Sequence, residues 1–526
     1  MAAGIFGVGK CLFIKSAYAL EAEMFKSVTL SFTGGAHANP YTEVDMHAVF
    51  TGPSGQSLKV YSYWDGGDAW RIRFAPTAAG RWTYRTVASG DSRLNGITGE
   101  MSATDTGLKG FLTRDPANKF AFKRSRGENV FLMGDTCWNC MSNVGGKLNY
   151  STYTQFINER SFQKFNFLRS YIVSFQTPLD GTDTALTNEG GRSFDPWDPD
   201  KINPAFFREV DRRVEYANSK QITPHLLFGS DGTNLTQFFG WGNGKMDRYV
   251  RYAVARYGAY DVAWEGRAEF EEQETTTPGA ENLANQIGNW VKLYDPYNHI
   301  RSMHTLETNN ELASQPWLDW IMHQSRDWNL IKTDRGLGKP VMNEEFYYEN
   351  SGAGSTHDHH TDAETVRRGA WKVMVSGATG LAYGNTGTYN SRSKPFVGIS
   401  YANSPGAAYM THLFNFWNGL GFSNLSPASI IISGQALAIS DPGNEYVVYA
   451  ENGGSFTINL FATSGQFLVE WYNPRNGERI SQSAISGGGN RNFASPGTGD
   501  WALHLTRSSG SSDTTAPSSP AGFSVR

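Results

Sequence analysis

Between residues 115 and 425 the chain alternates eight short apolar runs with amphipathic ones, a rhythm that few folds accommodate. The strand-like runs are 129–135, 167–173, 225–228, a cluster around Trp264, 299–304, 320–323, 339–346 and 380–384. Helical periodicity fills most of the gaps, at 150–165, 204–219, 246–257, 278–293 and 363–374. In the second of these, Phe207, Val210 and Val214 recur at three- and four-residue spacing. Eight strand runs separated mostly by helices predict a (β/α)8 TIM barrel, whose strand ends open into one shared mouth.

The flanks have another rhythm. Residues 25–105 read as short alternating strands, such as Val28-Thr29-Leu30-Ser31-Phe32 and Trp70-Arg71-Ile72-Arg73-Phe74, with a Gly-Pro-Ser-Gly turn at 52–55. That pattern predicts a β-sandwich. Short strands return at 426–507. The expected organisation is therefore multidomain: a (β/α)8 barrel at 109–425 flanked by an Ig-like β-sandwich at 25–108 and a C-terminal β-sandwich at 426–507. Residues 1–24 read as a leader or poorly ordered N-terminus: Ala17-Tyr18-Ala19 fits a small-x-small cleavage site, but Lys10 and Lys15 interrupt the apolar region and make it a poor secretion signal for a protein expected to be extracellular. The Ser-, Thr- and Pro-rich stretch 508–526 reads as a linker. It ends in Ala521-Gly522-Phe523-Ser524-Val525, like the opening of a fibronectin type III strand.

A net charge of -4 gives no reason to expect nucleic acid or an anionic membrane as partner. No run approaches the roughly 18 apolar residues of a membrane span. Three cysteines make no disulfide framework, and Cys137-Trp138-Asn139-Cys140 reads as packing cysteines or an incidental bridge. Aromatic residues make up 13% of the chain, which suits stacking on pyranose faces but also suits β-domains.

Two acidic clusters sit at expected strand ends: Trp264-Glu265-Gly266-Arg267-Ala268-Glu269-Phe270 and Val341-Met342-Asn343-Glu344-Glu345-Phe346. Two carboxylates in one mouth can serve as acid and nucleophile in cutting a glycosidic bond. Alternation places Glu344 and Glu345 on opposite faces, so one of them is expected to point into the mouth. Arg169 in the second strand is a candidate to keep a nucleophile ionised. His304 and His323 at strand ends, and His225 within the third strand, are candidates for sugar contacts or for tuning the carboxylates. Asp135 and Trp138 would supply a hydroxyl ligand and a stacking platform, and Tyr383 a further contact at the eighth strand. His357-Asp358-His359-His360 lacks regular ligand spacing and reads as a loop, not a metal site. Neither cofactor nor metal is expected.

Several stretches carry a family resemblance. Tyr63-Trp64-Asp65-Gly66-Gly67, Arg71-Ile72-Arg73-Phe74-Ala75-Pro76 and Gly80-Arg81-Trp82-Thr83-Tyr84 resemble the sandwich module that precedes many bacterial glycosidase barrels. Phe131-Leu132-Met133-Gly134-Asp135-Thr136-Cys137-Trp138 is similar to the opening strand of the apiosidase-like glycoside hydrolases. The C-terminal domain resembles the collagen-binding-type module of the same proteins, and a packing role is expected of it. The resemblance implies a retaining hydrolase acting on a polysaccharide or oligosaccharide, with Glu269 as acid/base after strand four and Glu345, followed by Phe346, as nucleophile. One position departs: the wider clan has Asn before the acid/base, and here it is Ala268. That departure keeps open a carbohydrate-binding protein on a barrel scaffold. The histidine loop keeps open a metal-dependent esterase.

Overall fold

The computed structural model describes residues 20–508 except 144–145, 174–186, 195–197, 230–240, 268, 272–278, 309, 351–360 and 391–395. Its centre is one sheet of eight parallel strands. These are β1 (Leu132–Thr136), β2 (Phe167–Tyr171), β3 (Thr223–Gly229), β4 (Ala263–Arg267), β5 (Arg301–Ser302), β6 (Ile321–His323), β7 (Val341–Asn343) and β8 (Gly380–Tyr383). The sheet order is β5-β4-β3-β2-β1-β8-β7-β6. Its two edges meet where the Asp319 N–H donates to the Arg301 carbonyl at 2.8 Å and the Ser302 hydroxyl donates to the Trp320 carbonyl at 2.9 Å.

Helices α1 (Tyr150–Phe162), α2 (Pro204–Ser219), α3 (Gly242–Tyr257), α4 (Ala280–Tyr294), α5 (Trp328–Arg335), α6 (Ala363–Val375) and α7 (Pro405–Trp417) accompany the strands. Short polar side chains start several of them. Asn149, Asn203, Asp327 and Asp362 each accept a backbone N–H at a helix N-terminus. Among the described residues between β5 and β6, the one helical element is a 3-10 turn, Asn310–Leu312. Helix α5 carries no long apolar stripe, which is why periodicity does not reveal it.

Alternation sorts the strand residues into two layers. Leu132, Phe167, Ala263, Trp320, Met322 and Met342 point inward and form the floor of the barrel. Leu112 and Phe122 join them from a hairpin, Leu112–Arg114 paired with Phe122–Arg124, and so plug the N-terminal end. Phe131, Met133, Ile321 and Leu381 have the opposite parity and pack under the helices. With the bottom closed by apolar side chains, the polar residues that follow on the same strands are left to face the open end.

The N-terminal domain pairs a five-stranded with a three-stranded sheet around Phe50, Phe74, Ile72 and Trp82. Leu20–Glu23, inside the stretch read as a leader, is already its first strand and pairs with Met101–Thr104. Asp211 on α2 fixes this domain to the barrel, binding Arg73 at 3.1 Å and Arg256 at 2.7 Å. The C-terminal domain has a six-stranded and a three-stranded sheet. It docks through Trp371 of α6, which stacks on Tyr449 at 5.4 Å, and through the buried pair Arg367–Asp500 at 2.8 Å. That packing is continuous with the helix-side core of the barrel.

Candidate active site

Arg169 of β2 lies inside the barrel one layer above the floor, fully buried. An unpaired guanidinium could not be kept there, and carboxylates from two strands surround it. Its Nη2 is 3.2 Å from Glu265 of β4, its Nε 2.9 Å from Glu344, and its Nη1 3.8 Å from Glu345. Burial opposes the charge on Arg169, but the three glutamates outweigh it and raise the pKa, so it stays protonated. His225 of β3 closes a ring beneath, 3.2 Å from Glu265 through Nε2 and 3.2 Å from Glu344 through Nδ1. The Trp320 indole N–H donates to Glu344 at 2.7 Å.

Glu344 and Glu345 do not split between two faces as alternation suggested. Strand β7 ends at Asn343, where the Glu344 N–H turns to the His323 carbonyl and the Glu345 N–H to the Asn343 side chain. Beyond that point both carboxylates converge on Arg169. Exposure separates them: Glu344 is at 0% and Glu345 at 12%, so Glu345 is the one a ligand in the mouth can reach.

Glu345 is held as an anion. Burial pushes its pKa up, but the His304 hydrogen bond and charge, Arg169 and the Tyr348 hydroxyl together bring it below the usual carboxylate range. His304 Nε2 lies 3.5 Å from Glu345 and 2.7 Å from Gln324 Oε1. The Gln324 amide donates in turn to Glu269 at 2.8 Å. A polar chain, Glu345–His304–Gln324–Glu269, thus spans the mouth. Glu269 follows β4 with φ +49°, a left-handed conformation uncommon for a residue with a side chain and often found where function holds it. The next acidic neighbour, Glu271, is raised by burial and is anchored to Thr305 and to the Leu306 N–H.

Burial and Arg169 both lower the His304 pKa; the hydrogen bond to Glu345 and the charges of Glu265 and Glu345 outweigh them and lift it to about 9. The imidazolium therefore persists through neutral pH. Activity that needs an ionised Glu345 should hold on the acid side to below the ordinary carboxylate pKa of about 4.3, because Glu345 keeps its charge there. In His304→Gln the acid limb of kcat/KM should move up, and an unmoved limb would sever His304 from Glu345.

Of the other expected contacts, Asp135, Tyr383 and His323 face away from the mouth, whereas His225 and Trp138 pack against its charged groups. Asp135 and Tyr383 share the parity of Met133 and Leu381 and face the helices. Asp135 pairs with Arg160 of α1 at 2.6 Å, while Tyr383 hydrogen-bonds Glu349 and Ser404. His323 follows Met322, turns outward and binds Asp334 of α5 at 2.7 Å. His225 lies below the mouth. Trp138 is 3% exposed and packed among rings. Residues 357–360 and Ala268 lie outside the described residues. Glu265, Glu344, Gln324 and Tyr348 are members of the site that sequence reasoning did not assign. His225, Glu265 and Glu344 have donors close enough to hold a cation, but Arg169 already places positive charge against both carboxylates.

The family profile described as "Apiosidase-like, catalytic domain" matches residues 116–424, more than half of the chain. The chain belongs to the apiosidase-like family. Its flanking domains match "Domain of unknown function (DUF5060)" at 21–89 and "Putative collagen-binding domain of a collagenase" at 435–506. No curated protein matches the sequence. A crystal structure described as a putative glycoside hydrolase from Bacteroides vulgatus superposes with a TM-score of 0.76 at 19% identity, covering 93% of this chain and 100% of the other. A family 5 glycoside hydrolase of the same organism superposes with a TM-score of 0.65 at 18% identity, covering 76% and 94%. At such identities the likeness is one of fold: the apiosidase-like barrel and its neighbours share an architecture.

Proposed function

We propose that the protein is a glycoside hydrolase that cleaves a polysaccharide or oligosaccharide outside the cell by double displacement with retention. The observation that carries this reading is the polar chain linking Glu345, held ionised by Arg169 and His304, to Glu269 across one barrel mouth. Glu345 attacks the anomeric carbon while Glu269 protonates the departing oxygen. A covalent glycosyl-enzyme forms and the aglycone leaves. Glu269, now a carboxylate, takes a proton from water, whose oxygen attacks the anomeric carbon and displaces Glu345. Burial of Glu265 and Glu344 beneath Arg169 excludes them from substrate contact and gives them the role of fixing that cation.

The stereochemistry of the first-formed sugar tests this directly. Proton NMR during hydrolysis of plant, algal and microbial glycans, or of 4-nitrophenyl glycosides, should show the anomeric configuration of the substrate in the initial product. Initial inversion would overturn the double displacement and move Glu345 to the role of base. A panel on which the protein turns nothing over would favour carbohydrate binding on a barrel scaffold.

A further inference from the structure

Trp138 sits in a four-residue loop closed by a disulfide between Cys137 and Cys140, just past the end of β1. The loop is also tied on both sides. The Cys137 N–H donates to the Arg169 carbonyl at 3.1 Å, and the Tyr171 N–H donates to the Trp138 carbonyl at 2.8 Å. On the β8 side the Trp138 N–H donates to the Tyr389 carbonyl at 2.9 Å, and the side-chain amides of Asn139 and Asn390 each donate to the other's backbone carbonyl, at 2.8 and 2.7 Å. The indole is therefore carried on a short, multiply fixed segment.

What the indole touches is the nucleophile's own set of partners. Its plane is 6° from that of the His304 imidazole, with centroids 5.5 Å apart. The Arg169 guanidinium lies 4.7 Å from its centroid. Tyr389 meets it edge-on at 6.1 Å and meets Tyr348 in the same way at 4.7 Å. Tyr171 stacks on it at 4.9 Å. With its ring occupied by these neighbours and 3% exposed, Trp138 offers no free face to a pyranose.

We propose that Trp138, clamped by the Cys137–Cys140 bridge, is a positioning residue that holds Arg169 and His304 directly, and Tyr348 through Tyr389, against Glu345. The proposal rests on Glu345 being the nucleophile. Cation–π attraction and parallel stacking fix the planes of two flexible cations, so both meet the carboxylate without reorganising during attack. The bridge limits the motions of the loop that carries the ring. The groups that face His304 are Arg169 from β2, Glu265 from β4, Glu271 from beyond β4, Glu345 from beyond β7 and Gln324 from beyond β6, and Trp138 contacts it from the β1 side.

The test compares Trp138→Ala, Trp138→Phe and the Cys137→Ala/Cys140→Ala double variant on a panel of 4-nitrophenyl glycosides. Carbon-13 histidine NMR is recorded alongside, with His304 assigned through His304→Gln. In Trp138→Ala, kcat should fall by about 10²-fold with KM nearly constant. The acid limb of kcat/KM should move up, and the His304 titration should drop from about 9 toward about 6.5. Trp138→Phe should recover most of each change, and the double-cysteine variant should move the same readouts by less. A raised KM at constant kcat would make Trp138 a sugar platform and overturn the proposal. So would an unmoved His304 titration in Trp138→Ala, which needs no substrate to observe. A fully active Glu345→Gln would overturn the nucleophile assignment alone, with the histidine titration still reporting on the clamp.

Discussion

Glu345→Gln should lose turnover by at least about 10⁴-fold, with the melting temperature little changed. The amide keeps the shape but cannot attack the anomeric carbon. Arg169 keeps Glu265 and Glu344 as partners when Glu345 is neutralised, and His304 can release its proton, so little buried charge is stranded. Glu345→Gly with added azide should restore part of the rate and release a glycosyl azide of inverted configuration. The small anion fills the space left by the carboxylate, and no enzyme carboxylate remains to attack a second time. The adjacent residue supplies the control. Glu344→Gln removes a buried anion that faces Arg169, His225 and the Trp320 N–H, so its main effect should be on stability. The two variants together decide which of two neighbouring glutamates does chemistry. Loss of melting temperature in Glu345→Gln with kcat intact, and the reverse in Glu344→Gln, would exchange their assignments.

How far these residues could be read from sequence follows from how far strand alternation extends. The barrel was legible because its strands are apolar runs separated by helices with regular faces, and the floor residues Leu132, Ala263 and Met342 keep one parity. That parity also reaches some of the site. Glu265 lies two residues after inward-facing Ala263 and shares its face, a signal the sequence contained. The same rule places Asp135 with Met133 and Tyr383 with Leu381, on the helix side. Alternation fails where strands stop. Glu344 and Glu345 follow the last residue of β7, Trp138 follows β1 and His304 follows β5, so turns and side-chain anchors direct them. No local pattern announces the contacts of Gln324 and Tyr348. They matter only because β5, β6 and β7 bring His304, Gln324 and Glu345 to one place.

Arg169→Met should be the most destabilising single change at the site, by about 3–5 kcal/mol near neutral pH. Methionine fills much of the guanidinium's volume, so the loss comes from charge: Glu265 and Glu344 remain at 0% exposure without the cation they faced. The loss should depend on pH in a definite direction. Glu344 and Glu345 have folded pKa values depressed below the ordinary range, largely against burial and through His225, His304 and Arg169. Their pairing therefore stabilises the fold fully above about pH 4.3 and is lost as pH falls through the folded values. Without Arg169 those pKa values rise. The gap between variant and wild type should be widest at pH 7 and should narrow toward pH 4, where Glu344 and Glu345 take up protons. Denaturation midpoints at both pH values measure it. A variant as stable as the wild type at pH 7 would mean that Arg169 does not offset a buried negative charge on Glu344. Arg169 would then have only Glu345 to serve, and the charge account of how Glu345 is held ionised would have to be rebuilt on His304.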